Sequence, residues 1–311
     1  MLRRDLLQLS AALGLAASLP RSALSASNPD AAAPASPGGT LPSNPVANPL
    51  RPPADGVIPV AFLMSNDAVV IDFAGPWEVF ENVHVPGAVP HPFQPYTVAE
   101  TTAPIQVSGG MTIIPKYSLA TAPPPKVIVI PAQSEPSEAV VAWLRNAARA
   151  SDVTMSVCTG AYILAKTGLL SGQAVTTHHS AYIDLAMTYP DIQVKRGARF
   201  VESGNLASSG GLSSGIDLAL RVVERYYGRA VALRTADNLE YQGLGWMNAE
   251  SNQVYAKRRV STAQRPLCAV CEMDVDMATA PKSAFKDRNY YFCMDSHKKL
   301  FDDNPERFVG V

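Results

Sequence analysis

The chain of 311 residues is poor in cysteine and in charge of either sign. It has only four cysteines and a formal net charge of -1, and no basic run or basic helix is visible, so no nucleic-acid partner is expected. The apolar stretch from Leu6 to Leu19 is shorter than the roughly 20 residues that a membrane span needs, so no stable membrane span is expected either. With 47% hydrophobic residues, the chain can still bury the core of one large or two smaller domains.

The first residues have the pattern of an export signal. Arg3 and Arg4 precede the apolar stretch, and small residues around Ala23 and Ser25 follow it. The arginine pair resembles the twin-arginine signal of bacteria, while an ordinary secretion signal or a retained anchor stays open as an alternative. We therefore expect a signal peptide at 1–26, a proline-rich linker without a fold at 27–56, and a periplasmic or secreted protein.

The region from 57 to 246 alternates short apolar runs with helical patterns. Val57–Met64 and Lys126–Ala132 are β-branched and apolar, as strands buried on both faces of a parallel sheet are. Four helices are predicted: one opening at Pro76, one from Ser137, one after Cys158, and one closing at Gly228. This alternation predicts an α/β fold with a mostly parallel sheet flanked by helices.

Cys158 lies where one of these strands changes into a helix. Val153, Met155 and Val157 alternate with polar residues before it, and the apolar residues after it recur at helical spacing. Ligand sites form at such strand ends, and unpaired N–H groups at a helix start favour a thiolate and can hold an oxyanion. We interpret Cys158 as a nucleophile, with a buried structural cysteine as the alternative.

Four sequence blocks in this region resemble one known family. They are IDFAGPWEVF (71–80), SVCTGA (156–161), GLLSGQAVTTHH (168–179) and SSGGLSSGIDLAL (208–220). In this order they are similar to the ThiJ/PfpI family of the class I glutamine amidotransferase-like superfamily, and specifically to its isonitrile hydratase branch. The resemblance implies a flavodoxin-like α/β domain and a homodimer.

The resemblance also implies a reaction and its residues. Cys158 would be the nucleophile, Asp72 its acid–base partner, and Thr159 a site residue through its backbone N–H and hydroxyl. The implied substrate is an isonitrile or related small molecule, hydrated to an N-substituted formamide without a cofactor. The alternative for Asp72 is a helix cap ahead of Pro76, and Glu78 is a second acidic candidate expected on the exposed side of its helix.

The sequence departs from that of its relatives at two places. Thr159 stands where those relatives have a histidine, and no His-x-Glu pair follows, so peptidase or amidotransferase chemistry is not implied. Ala132 and Gln133 stand where most relatives have a pair of glycines, which fills space near the substrate. A non-catalytic periplasmic protein for metal handling or stress therefore remains the alternative function. His178 or His179 is expected to line the pocket or to hydrogen-bond in the core.

The other three cysteines lie in a second module. After a predicted linker at 247–264, Cys268 and Cys271 form a C-x-x-C knuckle, and Cys293 and His297 form a C-x-x-x-H pair at a helix start. Two close pairs of such ligands predict a tetrahedral site for zinc or a similar metal ion, which would stabilise a small core. A disulfide between Cys268 and Cys271 is the alternative.

Residues 265–309 resemble the YHS domain, which is related to the TRASH metal-binding modules. The resemblance rests on CAVCEMDVDMATAP (268–281), YYFC (290–293) and NPERF (304–308). Relatives usually have a cysteine where His297 stands, so the implied ligand set is three cysteines and one histidine around zinc or copper. A small metal-ribbon-like α+β module is expected.

Overall fold

A seven-stranded sheet forms the centre of the α/β domain. The computed structural model describes residues 46–257 and 259–308, so the predicted signal peptide at 1–26 lies outside the described residues. Strands are Ile58–Leu63 (β1), Phe93–Ala99 (β2), Ile105–Gln106 (β3), Thr112–Ile113 (β4), Tyr117–Ser118 (β5), Val127–Ile130 (β6), Val153–Val157 (β7), Ala174–Val175 (β8), Gln193–Val194 (β9), Phe200–Ser203 (β10), Leu206–Ser209 (β11), Lys282–Phe285 (β12) and Arg288–Tyr291 (β13).

The strand order in the main sheet is β10-β11-β7-β6-β1-β2-β5. β10 runs antiparallel to β11, and all the other neighbours are parallel. The predicted mostly parallel α/β sheet is confirmed. Its central strands have both faces buried: Val60 and Phe62 of β1 pack in the core on one face, and Ala61 and Leu63 pack in the core on the other. This explains why the strand reads as a continuous apolar run.

Helices cover both faces of this sheet. They are Val70–Glu81 (α1), Glu138–Ala150 (α2), Gly160–Lys166 (α3), Tyr182–Thr188 (α4), Ser214–Tyr227 (α5), Arg229–Asn238 (α6) and, in the C-terminal module, Asp295–Asp303 (α7). Ser137 caps α2 by accepting a hydrogen bond from the Val140 N–H, and Gly228 with φ +80° ends α5, as the sequence predicts. Among the helices of the described residues, none is long and apolar enough to cross a membrane.

The start of α1 differs from the prediction. The helix begins at Val70, and Pro76 lies in its interior rather than at its first turn. Proline has no N–H for the carbonyl group four residues earlier, and this cost is offset by packing. Pro76 is buried beside α5, where Gly215 allows close approach: a Cβ there would lie 3.2 Å from Pro76 Cγ. Asp72 therefore belongs to the first turn of a helix and not to a loop.

Both predicted linkers contact the α/β domain. In the first, at 27–56, the Leu50 N–H donates to the Arg225 carbonyl, and the Arg225 side chain donates to the Asn48 carbonyl, so the folded region begins before the predicted start at Val57. In the second, at 247–264, Trp246 is buried just before it, and the Arg199 N–H donates to the Ala249 carbonyl. Hydrogen bonds to neighbouring strands and helices hold both described segments in place.

Candidate functional site

Cys158 occupies a sharp turn between β7 and α3. Its backbone φ is +57°, a left-handed conformation that is strained for a residue with a side chain. Its N–H donates to the Gly210 carbonyl at 3.0 Å, and its carbonyl accepts from the Thr177 hydroxyl at 2.8 Å. These bonds hold the turn in place at the carboxyl edge of the sheet, where the side chain of Cys158 is 8% exposed.

Glycine is required directly after this turn. A Cβ at Gly160 would overlap the Ile130 carbonyl oxygen and would lie 2.8 Å from the Pro131 carbonyl oxygen. The start of α3 therefore packs against the end of β6 at a distance that only glycine allows. This contact brings the turn at Cys158 next to the segment that follows β6.

Asp72 lies fully buried beside this turn. Its Oδ2 accepts a hydrogen bond from the Ala132 N–H at 3.1 Å, and its carboxyl group interacts with the Cys158 thiol and with the Leu212 backbone. Its Oδ1 is buried without a protein hydrogen bond of standard length and angle. The structure thus brings Asp72 and Cys158 together, close enough for a proton to pass between them.

Burial dominates the acidity of both groups. It raises the pKa of Asp72 from 3.8 to about 6, although hydrogen bonds from Ala132 and Cys158 oppose the rise. Burial and, second, the Asp72 charge raise the pKa of the Cys158 thiol to about 11. In the resting site, burial and the neighbouring carboxylate thus outweigh the lowering of the thiol pKa that is expected from the helix start.

Two further groups face the sulfur. The backbone and the hydroxyl group of Thr159 both form hydrogen bonds with Cys158 that lower its pKa, and so does the backbone of Leu212. Leu212 has a φ of +50° and lies in the turn between β11 and α5. Leu212 was not predicted as a site residue from the sequence, although the glycine pair before it indicates such a turn.

A cavity of about 240 Å³ lies at the same sheet edge. The segments after β1, β2 and β6 line it, together with Ile163 of α3. Gln133 is part of this lining, and its amide nitrogen donates to the Leu63 carbonyl at 2.9 Å. Cys158 and Asp72 are not among the lining residues, although Gln133 directly follows Ala132, whose N–H bonds to Asp72.

The remaining candidates in the α/β domain have structural contacts. Glu78 is exposed, as predicted. His178 pairs its Nδ1 with the Ser180 hydroxyl at 2.8 Å and packs against Gly211. His179 stacks on Tyr255 with ring centroids 4.7 Å apart. Burial lowers the pKa of both histidines.

The C-terminal module brings Cys268, Cys271, Cys293 and His297 together. Their ligand atoms all lie within 4.8 Å of one another. Cys271 Sγ lies 3.5 Å from Cys293 Sγ, and His297 Nδ1 lies 3.6 Å and 3.3 Å from the sulfurs of Cys268 and Cys293. All four cysteines of the chain are free thiols in the structure.

These separations fit a tetrahedral metal ion. With bonds of about 2.3 Å to sulfur and 2.0–2.1 Å to nitrogen, tetrahedral angles require about 3.8 Å between sulfurs and about 3.6 Å between sulfur and nitrogen. The hydrogen bond between Cys268 and Cys271 lowers the pKa of the Cys268 thiol and raises the pKa of the Cys271 thiol, so the two sulfurs share one thiolate. The cluster can hold a metal ion.

The α/β domain provides a further neighbour to this cluster. Asp184 of α4 has its Oδ1 3.0 Å from His297 Nε2, and its Oδ2 accepts the Tyr162 hydroxyl at 2.6 Å. Asp184 was not predicted from the sequence, because its partner His297 lies far along the chain and no local pattern indicates the contact.

The fold and the cysteine turn define an α/β protein with a buried cysteine at the carboxyl edge of its sheet, and comparisons with known proteins identify its family. The model of the DJ-1/PfpI family matches residues 59–225. The chain therefore belongs to the DJ-1/PfpI family.

Relatives of the chain have different activities. It is 30% identical to an isonitrile hydratase of Pseudomonas putida over 187 residues, which cover 58% of this chain and 78% of that protein. It is also 28% identical over 138 residues to the HTH-type transcriptional regulator CdhR of Pseudomonas aeruginosa, covering 43% of this chain and 41% of the regulator. The family match alone therefore does not fix one activity.

Solved structures show the same fold. A ThiJ/PfpI family protein from Pseudomonas syringae matches with a TM-score of 0.54 and 24% identity, over 60% of this chain and 76% of that one. DJ-1beta of Drosophila melanogaster matches with a TM-score of 0.51 and 18% identity, over 60% of this chain and all of that one. At these identities the likeness extends to the fold alone.

Proposed function

We propose that the α/β domain is a cysteine-dependent hydratase that converts an isonitrile, or a related small molecule, to an N-substituted formamide. The observation that carries this proposal is the buried pairing of the Asp72 carboxyl group with the Cys158 thiol on the turn. The similarity to an isonitrile hydratase at 30% identity supports the same reaction.

In the first step, the sulfur and the hydrogen of the thiol both add to the terminal carbon of the isonitrile. At neutral pH the raised pKa values keep the proton on Cys158 and leave most of Asp72 as carboxylate. As the sulfur attacks the carbon, Asp72 takes the thiol proton and then delivers it to the same carbon. The product is a thioimidate, with a new C–S bond, a new C–H bond and a C=N bond.

The second step consumes one water molecule. Asp72, again a carboxylate, takes a proton from water as the water oxygen attacks the thioimidate carbon. The C–S bond then breaks, one water proton goes to the nitrogen and the other returns to the sulfur. The products are the formamide and the restored Cys158 thiol, so the cycle needs no external oxidant, reductant or cofactor.

The experiment measures formamide formation from tert-butyl isonitrile by mass spectrometry, in water enriched in ¹⁸O. One labelled oxygen should appear per formamide. Cys158→Ala should lower turnover by at least about 10³-fold, because no other group replaces the nucleophile. Asp72→Asn should lower it by about 10²–10⁴-fold through loss of proton transfer.

Glu78→Gln is the matched control, since Glu78 lies on the same helix and is exposed. We expect this variant to keep the turnover of the unmodified protein. Turnover that survives in Cys158→Ala would contradict the proposal, and so would an Asp72→Asn variant with full activity.

The proposed function includes a metal site in the C-terminal module, which we propose is a YHS domain. Cys268, Cys271, Cys293 and His297 would hold zinc or copper, and the fit of their separations to a tetrahedral ion supports this. A bound ion would supply structural cross-linking to a module with a small core. A disulfide between Cys268 and Cys271 would compete with metal binding.

We also propose that residues 1–26 direct the protein to the periplasm or outside the cell. The support is the sequence pattern of an arginine pair before a short apolar stretch. Replacing Arg3 and Arg4 with lysine should retain the protein in the cytoplasmic fraction. Unchanged export of this double variant would exclude the twin-arginine route.

A second candidate is a non-catalytic binding protein for metal handling or stress. The raised pKa of the Cys158 thiol favours this candidate, because a thiol that stays protonated at neutral pH is a poor nucleophile. The absence of turnover in the assay above, together with zinc bound to the purified protein, would favour this candidate.

A further inference from the structure

Helix α4 lies between the α/β domain and the C-terminal module. Its Tyr182 and Leu185 side chains are buried in the α/β domain. Ile183 and Met187 instead pack against the module core that contains Cys268 and Cys271. Because positions three and four apart share a face of a helix, α4 presents one face to each side.

Asp184 lies on this helix and contacts a residue of the proposed metal site. Its Oδ1 is 3.0 Å from His297 Nε2, and the histidine side chain is only 5% exposed. The other ring nitrogen, Nδ1, faces the sulfurs of Cys268 and Cys293. The two nitrogens of the ring thus point to different parts of the protein, one to the cysteines and one to α4.

This orientation fixes how the ring would bind a metal ion. A ligating Nδ1 must be unprotonated, so the single ring proton of neutral histidine lies on Nε2. That proton points at the carboxylate of Asp184. A carboxylate that accepts the second N–H of a ligating histidine fixes the ring and makes it a stronger ligand.

Asp184 is itself held in place. Its Oδ2 accepts the hydroxyl proton of Tyr162 at 2.6 Å while its Oδ1 faces His297 Nε2, so both carboxylate oxygens have a partner. Tyr162 lies on α3, the helix that begins two residues after Cys158 in the sequence. The side chain is therefore fixed by two elements of the α/β domain before it reaches the module.

We propose that Asp184 is the outer-sphere carboxylate of the metal site, so that a helix of the α/β domain positions a ligand of the C-terminal module. Metal binding then fastens the module onto α4, and docking onto α4 tightens metal binding. The inference rests on the metal site given under the proposed function and adds a residue that lies 84 positions before the first cysteine of the cluster (268 − 184).

The first test measures zinc affinity of the full-length, reduced protein by competition with a chromophoric chelator. Asp184→Ala should weaken zinc binding by about 10–100-fold, which is the usual effect of removing an outer-sphere partner. Asp184→Asn keeps a hydrogen-bond acceptor without the charge and should show a smaller loss. Asp191→Ala removes an exposed carboxylate from the same domain and should leave the affinity within about twofold of the unmodified protein.

A double variant separates positioning from general stability. In a His297→Cys background the fourth ligand has no ring N–H to orient, so adding Asp184→Ala should leave zinc affinity unchanged. An equal loss from Asp184→Ala in both backgrounds would mean that Asp184 acts through the fold, and the proposal would be overturned.

The second test measures docking by amide hydrogen exchange. Zinc should slow exchange in α4 of the unmodified protein and of Asp191→Ala, but not of Asp184→Ala. If Asp184→Ala binds zinc with unchanged affinity, this inference fails while the metal site stands. If the reduced, unmodified protein binds no zinc, the metal site and this inference fail together.

Discussion

At the scale of single residues, the burial of Asp72 beside Cys158 should lower the stability of the fold at neutral pH. A carboxyl group whose pKa rises on burial is held where its charge is poorly solvated, and its Oδ1 has no protein hydrogen bond of standard geometry. A pKa near 6 places Asp72 close to the range in which a group can both accept and donate a proton at neutral pH. The same charge keeps the thiol protonated, so in the proposed reaction the sulfur becomes nucleophilic only as its proton moves to Asp72.

The effect of Asp72 on the thiol can be measured by alkylation. Asp72→Asn removes the charge that raises the Cys158 pKa, so the variant should have more thiolate at pH 8. We expect Cys158 to react with iodoacetamide faster than in the unmodified protein, by about tenfold for each unit by which its pKa falls. Peptide mass spectrometry distinguishes Cys158 from the cysteines of the module. Slower alkylation in the variant would mean that Asp72 activates the resting thiol.

The buried carboxylate should also make stability depend on pH. The pKa of Asp72 is about 6 in the folded protein, against an ordinary value of 3.8 in the unfolded chain. The folded state therefore binds the proton more tightly than the unfolded state does. The stability that this tighter binding contributes is fully present below pH 3.8, and it is lost as the pH rises through 6. Two units correspond to about 3 kcal/mol, so Asp72→Asn should be stabilised at pH 8 by up to about that amount.

Urea denaturation at pH 5 and pH 8 measures this effect. The gain in the free energy of unfolding from Asp72→Asn should be larger at pH 8 than at pH 5. Glu78→Gln should show no such difference, because Glu78 is exposed. A gain in Asp72→Asn that does not change with pH would contradict the raised pKa.

At the scale of elements, local pattern predicts central strands of the sheet and part of the flanking helices, but not where every helix begins. β1, β6 and α2 follow from apolar runs and a serine cap, because burial on both faces of a sheet and helix capping leave marks in the local sequence. The start of α1 was missed because Pro76 ordinarily begins a helix, and here packing against α5 offsets the lost hydrogen bond.

The candidate site was predictable to a similar extent. Cys158 is marked by a change of hydrophobic period, and the cysteine pairs of the module are marked by their spacing. Asp184 has no such mark, because α4 is seven residues long and the contact with His297 exists only in the tertiary structure. The raised thiol pKa could not be predicted either, since it depends on burial and on Asp72.

The turn between β7 and α3 gives a prediction at this scale. Gly160→Ala would place a Cβ against the Ile130 and Pro131 carbonyl oxygens, which belong to the backbone and cannot rotate away. We expect a loss of about 3 kcal/mol or more in the free energy of unfolding, measured in urea. The control is Gly168→Ala, where φ is +78° but no atom lies within 4 Å of the added Cβ, so the loss should be about 1 kcal/mol. Equal losses in the two variants would mean that the close approach at Gly160 does not matter.

At the scale of the whole molecule, three kinds of contact join the module to the α/β domain. Ile183 and Met187 provide apolar packing, Asp184 bonds His297, and Arg196 forms an ion pair with Glu272 at 3.4 Å in the cysteine knuckle. Polar contacts of this kind depend on geometry. A metal ion that fixes the cysteines would also fix the positions of the module residues that make these contacts. Stability of the complete chain should therefore respond to metal at one end of the molecule.

Removal of metal tests this response. Zinc at about 1,000 times its dissociation constant should stabilise the module by about 4 kcal/mol, so a chelator should lower the midpoint of thermal unfolding of the reduced protein. Cys293→Ser removes one proposed ligand and should make the midpoint insensitive to the chelator. Cys158→Ser replaces a cysteine outside the cluster and should keep the full response. Calorimetry with and without chelator distinguishes the variants, and an equal response in both would place the zinc elsewhere in the protein.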